Sequence, residues 1–193
     1  MKVLLVKPNN LSDHIQPSLG LAYLAEGIRS RHKVKILDCI KDGINPEEFV
    51  SKVLQDYRPD LIGIQCYTFD VGNVRTLLRV IKEWNPKIIT VVGGSHISSD
   101  PIRSFENLKN NLDFAFAGEA DIGFPMFVDI LDSKIESPDF FSIPGLIWKN
   151  GKESVVNPGK MEDDLDQLGD PAWDLIRPEL YPEAQHGAFF NNF

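Results

Sequence analysis

Five short apolar runs recur along the chain at a steady spacing: Lys2–Lys7, Val34–Asp38, Leu61–Gln65, Ile88–Val92 and Phe114–Ala117. Helical patterns stand between them. Asn45-Pro46-Glu47-Glu48 supplies an N-cap, a first-turn proline and two acids suited to the positive end of a helix. Val50, Val53, Leu54 and Tyr57 then mark one apolar face at i, i+3, i+4 and i+7. Val74, Leu77, Leu78 and Ile81 repeat that face in a helix that stops near Asn85-Pro86. An earlier helix runs from about Leu19 to Arg31, and a last one carries Phe124, Phe127, Val128 and Leu131. Strands alternating with helices at this length specify right-handed βαβ units and a parallel sheet. The expected class is therefore α/β: a doubly wound, five-stranded parallel sheet of flavodoxin-like or Rossmann-like order 2-1-3-4-5. Its switch point lies between the first and third strands.

Beyond Leu131 the character changes. Gly145-Leu146-Ile147-Trp148, Lys149-Asn150-Gly151-Lys152 and Ser154-Val155-Val156 read as a β-hairpin turning at Asn-Gly. From Gly159 the chain is acidic, bears prolines and has no clear period. Between Lys160 and Glu183, eight acidic residues stand against Lys160 and Arg177, which concentrates there most of the net charge of −8. The organisation expected is a Rossmann-like domain over 1–134, a hairpin extension over 135–159 and an acidic linker over 160–193. The linker is expected to dock through Leu165, Leu168, Trp173 and Leu175. The closing Ala188-Phe189-Phe190-Asn191-Asn192-Phe193 leaves phenylalanines that call for a partner or a continuing chain.

Composition excludes several classes. Neither the acidic tail nor the nearly neutral remainder offers the basic face that nucleic acid requires. No apolar run approaches the ~18 residues of a membrane span, and the start lacks a signal-peptide pattern. Cys39 and Cys66 are too few for a disulfide scaffold and read as reduced thiols of a cytoplasmic protein.

In an open parallel sheet, ligands bind beyond the carboxyl ends of the strands. The fourth strand ends in Gly93-Gly94-Ser95-His96, where two residues without Cβ let a large ligand lie on the backbone. A dinucleotide site wants a Gly-rich turn after the first strand, but the chain reads Lys7-Pro8-Asn9-Asn10 there. A P-loop is missing, and Gln65-Cys66 replaces the aspartate a receiver domain carries after its third strand. What remains is Ser12-Asp13-His14-Ile15-Gln16-Pro17-Ser18-Leu19-Gly20, Cys66-Tyr67-Thr68, the Gly93 loop and Gly118-Glu119-Ala120-Asp121. That set suits a bulky, neutral-to-polar cofactor held by backbone and hydroxyls, without a phosphate clamp.

The chain resembles the N-terminal cobalamin-binding domain of cobalamin-dependent radical S-adenosylmethionine enzymes. The resemblance rests on Pro17-Ser18-Leu19-Gly20-Leu21-Ala22-Tyr23-Leu24-Ala25, Pro59-Asp60-Leu61-Ile62-Gly63-Ile64 and Val92-Gly93-Gly94-Ser95-His96. Ala117-Gly118-Glu119, Ile143-Pro144-Gly145-Leu146, Leu165-Asp166-Gln167-Leu168 and Pro171-Ala172-Trp173-Asp174-Leu175 extend it. It implies a cobalamin lying across the carboxyl edge, with its nucleotide tail buried beside the sheet. Cofactor-binding residues would be Pro17, Leu19, Gly20, Tyr67, Thr68, Gly93, Gly94, Ser95, His96, Gly118 and Glu119. It also implies a following barrel, in cis, that holds a [4Fe–4S] cluster and S-adenosylmethionine for methyl transfer or related radical chemistry. Three departures stand out. Asp13 and His14 are adjacent, so the Asp-x-His-x-x-Gly motif of other cobalamin carriers is absent. The usual Gly-Glu-Gly-Glu reads Gly118-Glu119-Ala120-Asp121. The Cys-x-x-x-Cys-x-x-Cys motif of the cluster is nowhere in the sequence, so this chain does not cleave S-adenosylmethionine by itself.

Alternatives stay open at this level. His96 reads as a corrin contact or as a cap on Ser98-Ser99-Asp100. His14 reads as a cobalt ligand or as a solvated loop residue. Glu119 reads as an acceptor for the tail or as a helix N-terminal acid. Cys66 reads as structural, Asp38 as a surface cap, and Trp148 and Trp173 as packing anchors. A non-enzymatic interaction or sensory module with a degenerate corrinoid site is the second reading of the chain. A flavin- or nucleotide-binding flavodoxin-like domain is the third.

Overall fold

A computed structural model describes residues 1–10 and 16–181. Its strands are β1 (Lys2–Lys7), β2 (Lys33–Asp38), β3 (Leu61–Gln65), β4 (Ile89–Gly93), β5 (Phe114–Phe116), β6 (Leu146–Asn150) and β7 (Glu153–Val156). They form one sheet of order β2-β1-β3-β4-β5-β6-β7. The first five are parallel, so the doubly wound α/β expectation and its switch point between β1 and β3 hold.

The hairpin corrects the strand count. It is part of the same sheet, with β6 pairing antiparallel to β5 through Ala115–Ile147 and Phe116–Leu146. The reason is exposure: β5 has only three residues and would otherwise leave a buried-type strand open on one edge. Leu146 and Ile147 become fully buried in covering it. The hairpin's two turn residues are Gly151 and Lys152, one position later than expected, because Asn150 still pairs with Glu153.

Helices α1 (Leu19–Arg29) and α6 (Gly123–Asp132) cover one face of the sheet. The other face is covered by the helical stretch that ends in α2 (Gln55–Tyr57), by α3 (Val71–Trp84), and by α4 (Ser95–Ser99) with α5 (Pro101–Leu108). Ser18 caps α1 by accepting from the Leu21 N–H. The four apolar positions expected on α3 are the four it buries. The stretch before α2 departs from a regular helix: a 3-10 turn at Pro46–Glu48 leads into a π-helical Val50–Leu54. Phe49, outside the expected stripe, is fully buried, and the wider π turn brings it onto the inner face with Val53 and Leu54.

The acidic segment docks through Leu175, as expected, and otherwise through residues the sequence did not single out. Leu165 is 70% exposed and Trp173, at the start of α7 (Trp173–Ile176), is 47% exposed, so neither anchors it. Ala172 and Ile176 are buried instead, with Leu175 packed beside the α1 layer. The Ala172 N–H donates to the Ala22 carbonyl at 3.2 Å, and Arg29 grips Asp174 with two hydrogen bonds of 2.6 and 2.8 Å. Those two polar ties orient the segment, so its large side chains are free to face water. Trp148 does pack, edge-on against Phe140 and Phe141. The Ala188–Phe193 ending lies outside the described residues. Among the described residues, no helix is long and apolar enough to cross a membrane.

Gly123, the first residue of α6, lies against the loop that leads into β6. A Cβ there would stand 2.1 Å from the Pro144 carbonyl oxygen, which is backbone and cannot swing aside. Gly123→Ala is expected to lower stability by about 1–3 kcal/mol through overpacking. A shift of the urea midpoint to lower concentration, at unchanged m-value, is the readout.

Candidate functional site

The strand ends β1, β3, β4 and β5 bring Lys7, Gln65, Gly93 and Phe116 to one edge. Two clefts open there and share Gly20 and Gln65. The narrow one, about 150 Å³, runs between the sheet and helices α1 and α6. The wide one, about 560 Å³, lies above the β1–β3 junction and is bordered by Gln16, Pro17, Leu19 and Tyr67. A cleft at the switch point is what the topology dictates, because the chain leaves β1 and β3 toward opposite faces.

The two glycines after β4 have different reasons to be glycine. Gly94 sits at φ +108°, and a Cβ there would come within 2.8 Å of the Cys66 carbonyl oxygen. That closeness carries the ladder beyond the strands: the Cys66 N–H donates to the Gly93 carbonyl at 2.8 Å, and the His96 N–H donates to the Cys66 carbonyl at 3.2 Å. Gly94 is thus demanded by loop packing. Gly93 is not, since a Cβ there would meet nothing closer than 3.9 Å. Its missing side chain leaves the narrow cleft open.

The residues singled out in the sequence divide into two groups. Gly20, Gly93, Gly94, Gly118 and Glu119 line the narrow cleft, and Pro17, Leu19, Gly20 and Tyr67 line the wide one. Thr68, Ser95 and His96 line neither. His96 Nδ1 and Thr68 Oγ1 are 3.3 Å apart, which ties α4 to the loop after β3. His96 is the second residue of α4, within its first turn and ahead of Ser98-Ser99-Asp100. The Gly118 N–H is held by Ser98 Oγ at 2.9 Å. His14 lies outside the described residues.

Gln65 stands in the sequence only as the residue replacing a receiver domain's aspartate, and it is not among the expected cofactor-binding residues. Its Nε2 donates to the Tyr67 hydroxyl at 3.1 Å, while its Oε1 is buried and has no hydrogen-bond partner among the described residues. A buried acceptor left unpaired is costly unless something supplies a donor. A polar residue closing a strand otherwise buried on both faces was the available signal. Beside it, Tyr67 stacks on the exposed Phe69 at 5.6 Å between ring centroids.

Charges at the site are either spent or acidic. Asp38, expected at the surface, is buried with its side chain 3% exposed. It caps the Ile40 and Lys41 N–H groups, pairs with Lys7 Nζ at 3.0 Å and accepts from the Tyr181 hydroxyl at 2.9 Å. The correction has a simple cause: the buried Lys7 ammonium, which also donates to the Gln16 carbonyl at 2.6 Å, requires a buried counter-charge. Burial and the adjacent Asp38 push the Tyr181 hydroxyl's pKa up. In the narrow cleft, burial and then the neighbouring Glu119 raise the Asp121 carboxyl above its ordinary value. Among the described residues, no basic side chain lines that cleft, and Lys7, which lines the wide one, is paired with Asp38.

Cys39 and Cys66 sit in the core, and burial pushes both thiols up to about 12. At neutral pH they are protonated thiols that pack as small apolar groups, as read for Cys66. Among the described residues, no group of three or more His, Cys, Asp or Glu side chains is placed to hold a metal ion.

Comparisons with known proteins follow the same lines. The family model described as the B12 binding domain matches residues 11–128. The chain is 29% identical over 188 residues to an uncharacterized methyltransferase of Pyrococcus horikoshii, covering 94% of this chain and 40% of that protein. It is 26% identical over 229 residues to the cytidylyl-2-hydroxyethylphosphonate methyltransferase of Streptomyces wedmorensis, covering 95% of this chain and 42% of that one. It thus spans about two fifths of the length of these relatives. Among solved structures, the fold is shared with the cobalamin-dependent S-adenosylmethionine radical enzyme OxsB, at TM-score 0.74 and 19% identity over 90% of this chain and 24% of that one. It is shared also with the radical S-adenosylmethionine methyltransferase TsrM of Kitasatospora setae, at TM-score 0.70 and 20% identity over 83% of this chain and 29% of that one.

The raised Asp121 carboxyl has a signed consequence. A carboxyl easier to protonate in the folded chain than in the unfolded one favours folding at acidic pH, and that advantage is lost as pH rises through its folded pKa. Asp121→Asn is therefore expected to melt higher than the parent at pH 7. The difference should shrink toward zero as pH falls below about 4, where unfolded aspartates protonate too. Melting curves of both proteins across that range test it.

Proposed function

The chain belongs to the B12-binding domain family, and on that premise we propose that its carboxyl edge holds a corrinoid across the two connected clefts. The observation that carries this reading is the shape of the site: a wide compartment joined at Gly20 and Gln65 to a narrow one. The wide cleft falls within the ~300–1,000 Å³ of ordinary ligand sites, and the narrow one takes only a slender appendage of the same ligand. Flavin and nucleotide ligands have less support, because the loop after β1 reads Lys7-Pro8-Asn9-Asn10 and carries neither the Gly-rich turn nor the P-loop that grips their phosphates.

The donor set suits a corrinoid. Its rim carries several carboxamides, whose N–H groups match the unpaired Gln65 Oε1 and the Glu119 and Asp121 carboxyls. Gly20 and Gly93 present backbone without side chains where the ligand must pass. Leu19, Tyr67 and Phe69 give an apolar rim to the wide cleft. When bound, the cofactor supplies a cobalt centre able to carry a methyl group; the chain's residues supply position, orientation and exclusion of water.

Methyl transfer or related radical chemistry is the reaction class we assign to the whole enzyme. Support comes from the relatives, two of which are named as methyltransferases and are much longer than this chain. The cluster and S-adenosylmethionine would be held by a radical domain beside this one, since the three-cysteine motif is not in this sequence. In that arrangement this domain places the corrinoid and the neighbouring domain meets the substrate.

Adding hydroxocobalamin to the purified chain is expected to shift the corrinoid absorption bands and to carry the colour through gel filtration with the protein. Gly93→Val, which fills the narrow cleft, should weaken binding at least about tenfold. Gln65→Leu, which removes one hydrogen-bond acceptor, should weaken it about three- to tenfold. Unaltered bands and corrinoid that elutes apart from the protein would overturn the proposal and leave the interaction-module reading.

A further inference from the structure

We infer that Tyr181 is a positioning residue for the wide cleft: its hydroxyl, acting through Asp38 and Lys7, sets the loop that leads into α1. Seating of the acidic segment and filling of the cleft are thereby coupled. The coupling to a ligand rests on the corrinoid reading above, whereas the link from Tyr181 to the loop stands on contacts within the chain.

One carboxylate carries the link. Asp38 Oδ2 accepts from the Tyr181 hydroxyl at 2.9 Å and from the Lys7 ammonium at 3.0 Å. Its Oδ1 accepts from the Ile40 and Lys41 N–H groups at 3.0 and 3.1 Å. The Lys7 ammonium donates onward to the Gln16 carbonyl at 2.6 Å. Gln16 and Ile40 both border the wide cleft, and Gln16 stands just ahead of Ser18, the N-cap of α1. A single side chain therefore fixes two parts of the cleft's wall, and it is shared with a residue 143 positions away.

Burial makes the sharing consequential. The Lys7 and Asp38 side chains are 11% and 3% exposed, so solvent screens their attraction little. A buried pair holds its geometry only while its remaining hydrogen bonds are met, and Tyr181 meets one of them. The Lys41 ammonium stands 5.4 Å from the centre of the Tyr181 ring, a cation–π contact at the same seat. Burial and then Asp38 raise the Tyr181 pKa, so at neutral pH the hydroxyl keeps its proton and donates. Lifting the segment removes that donor and lets water compete for the Lys7 ammonium. The Gln16 carbonyl then loses a fixed partner. Linkage makes the effect mutual: a ligand that needs the loop in place also holds the segment down.

The test uses the whole chain, hydroxocobalamin as the probe, and two variants whose folding is verified by thermal melts. Tyr181→Phe keeps the ring and removes the hydroxyl. Asp174→Asn loosens the same segment at Arg29, the last residue of α1, without touching Asp38. Without ligand, hydrogen–deuterium exchange across residues 16–21 is expected to quicken at least about threefold in Tyr181→Phe and to keep the parent rate in Asp174→Asn. Tyr181→Phe is expected to weaken hydroxocobalamin binding about three- to tenfold. Hydroxocobalamin should slow exchange across residues 173–181 in the parent, and clearly less so in Tyr181→Phe. Loop exchange that is equal in parent and Tyr181→Phe, or moved as far by Asp174→Asn, would overturn the link to the loop. A quickened loop with unaltered hydroxocobalamin affinity would overturn the coupling. If hydroxocobalamin binds neither protein, the corrinoid reading and the coupling fall together, and the ligand-free exchange still decides the link.

Discussion

The burial of β1, β3 and β4 on both faces is the constraint on which the rest of this structure depends. Val3 to Val6, Leu61, Ile62 and Val92 have no exposed surface at all. Strands that hydrophobic need a helical layer above and below, and parallel strands obtain both from right-handed crossovers. The first crossover passes to one face and those after β2 and β3 pass to the other. Where those directions part, no helix covers the strand ends. The site exists because the fold cannot close that gap with its own elements.

Within the gap, close packing and open space are set by neighbouring glycines. Gly94 lets the β4 loop lie on Cys66 and continues the ladder past the last strand residue, which stiffens the cleft's rim. Gly93, on the sheet surface below, subtracts a side chain and leaves the cleft open, while Gly63 makes room for Leu5 and the Phe124 ring. A rigid rim beside a hollow floor is a preorganised site, and preorganisation reduces the ordering cost of binding. The Lys7–Asp38–Tyr181 cluster contributes in the same way from the other side. It fastens the acidic segment at Tyr181 to the sheet end and fixes the Gln16 carbonyl through the same ammonium.

Much of this was legible in the chain read alone. The alternation of strands and helices, the strand limits to within a residue, and the α3 face all follow from local periodicity, which depends on spacing along one chain. The ligand edge was legible too, because topology places it without reference to any particular side chain. Less visible were features that depend on what comes to lie opposite. Phe49's burial and the π turn that serves it need the α3 side of the sheet as a partner. The burial of Asp38 follows from Lys7, 31 positions away and adjacent only once β1 and β2 pair. Trp173 looked like an anchor by its size, yet the tie at Ala22 and the Arg29–Asp174 pair turned it outward.

The sequence by itself determined the α/β class, the place of the ligand edge and the absence of a phosphate-gripping loop, since each is written in local spacing and residue type. Only the tertiary structure decided that the hairpin completes the same sheet and that Gly93 opens space while Gly94 fills a contact. It alone showed that Gln65, between two clefts, holds an acceptor unpaired among the described residues. These are properties of surfaces that meet across long stretches of chain. Burial, clash and hydrogen-bond satisfaction take their values only when those surfaces are brought together.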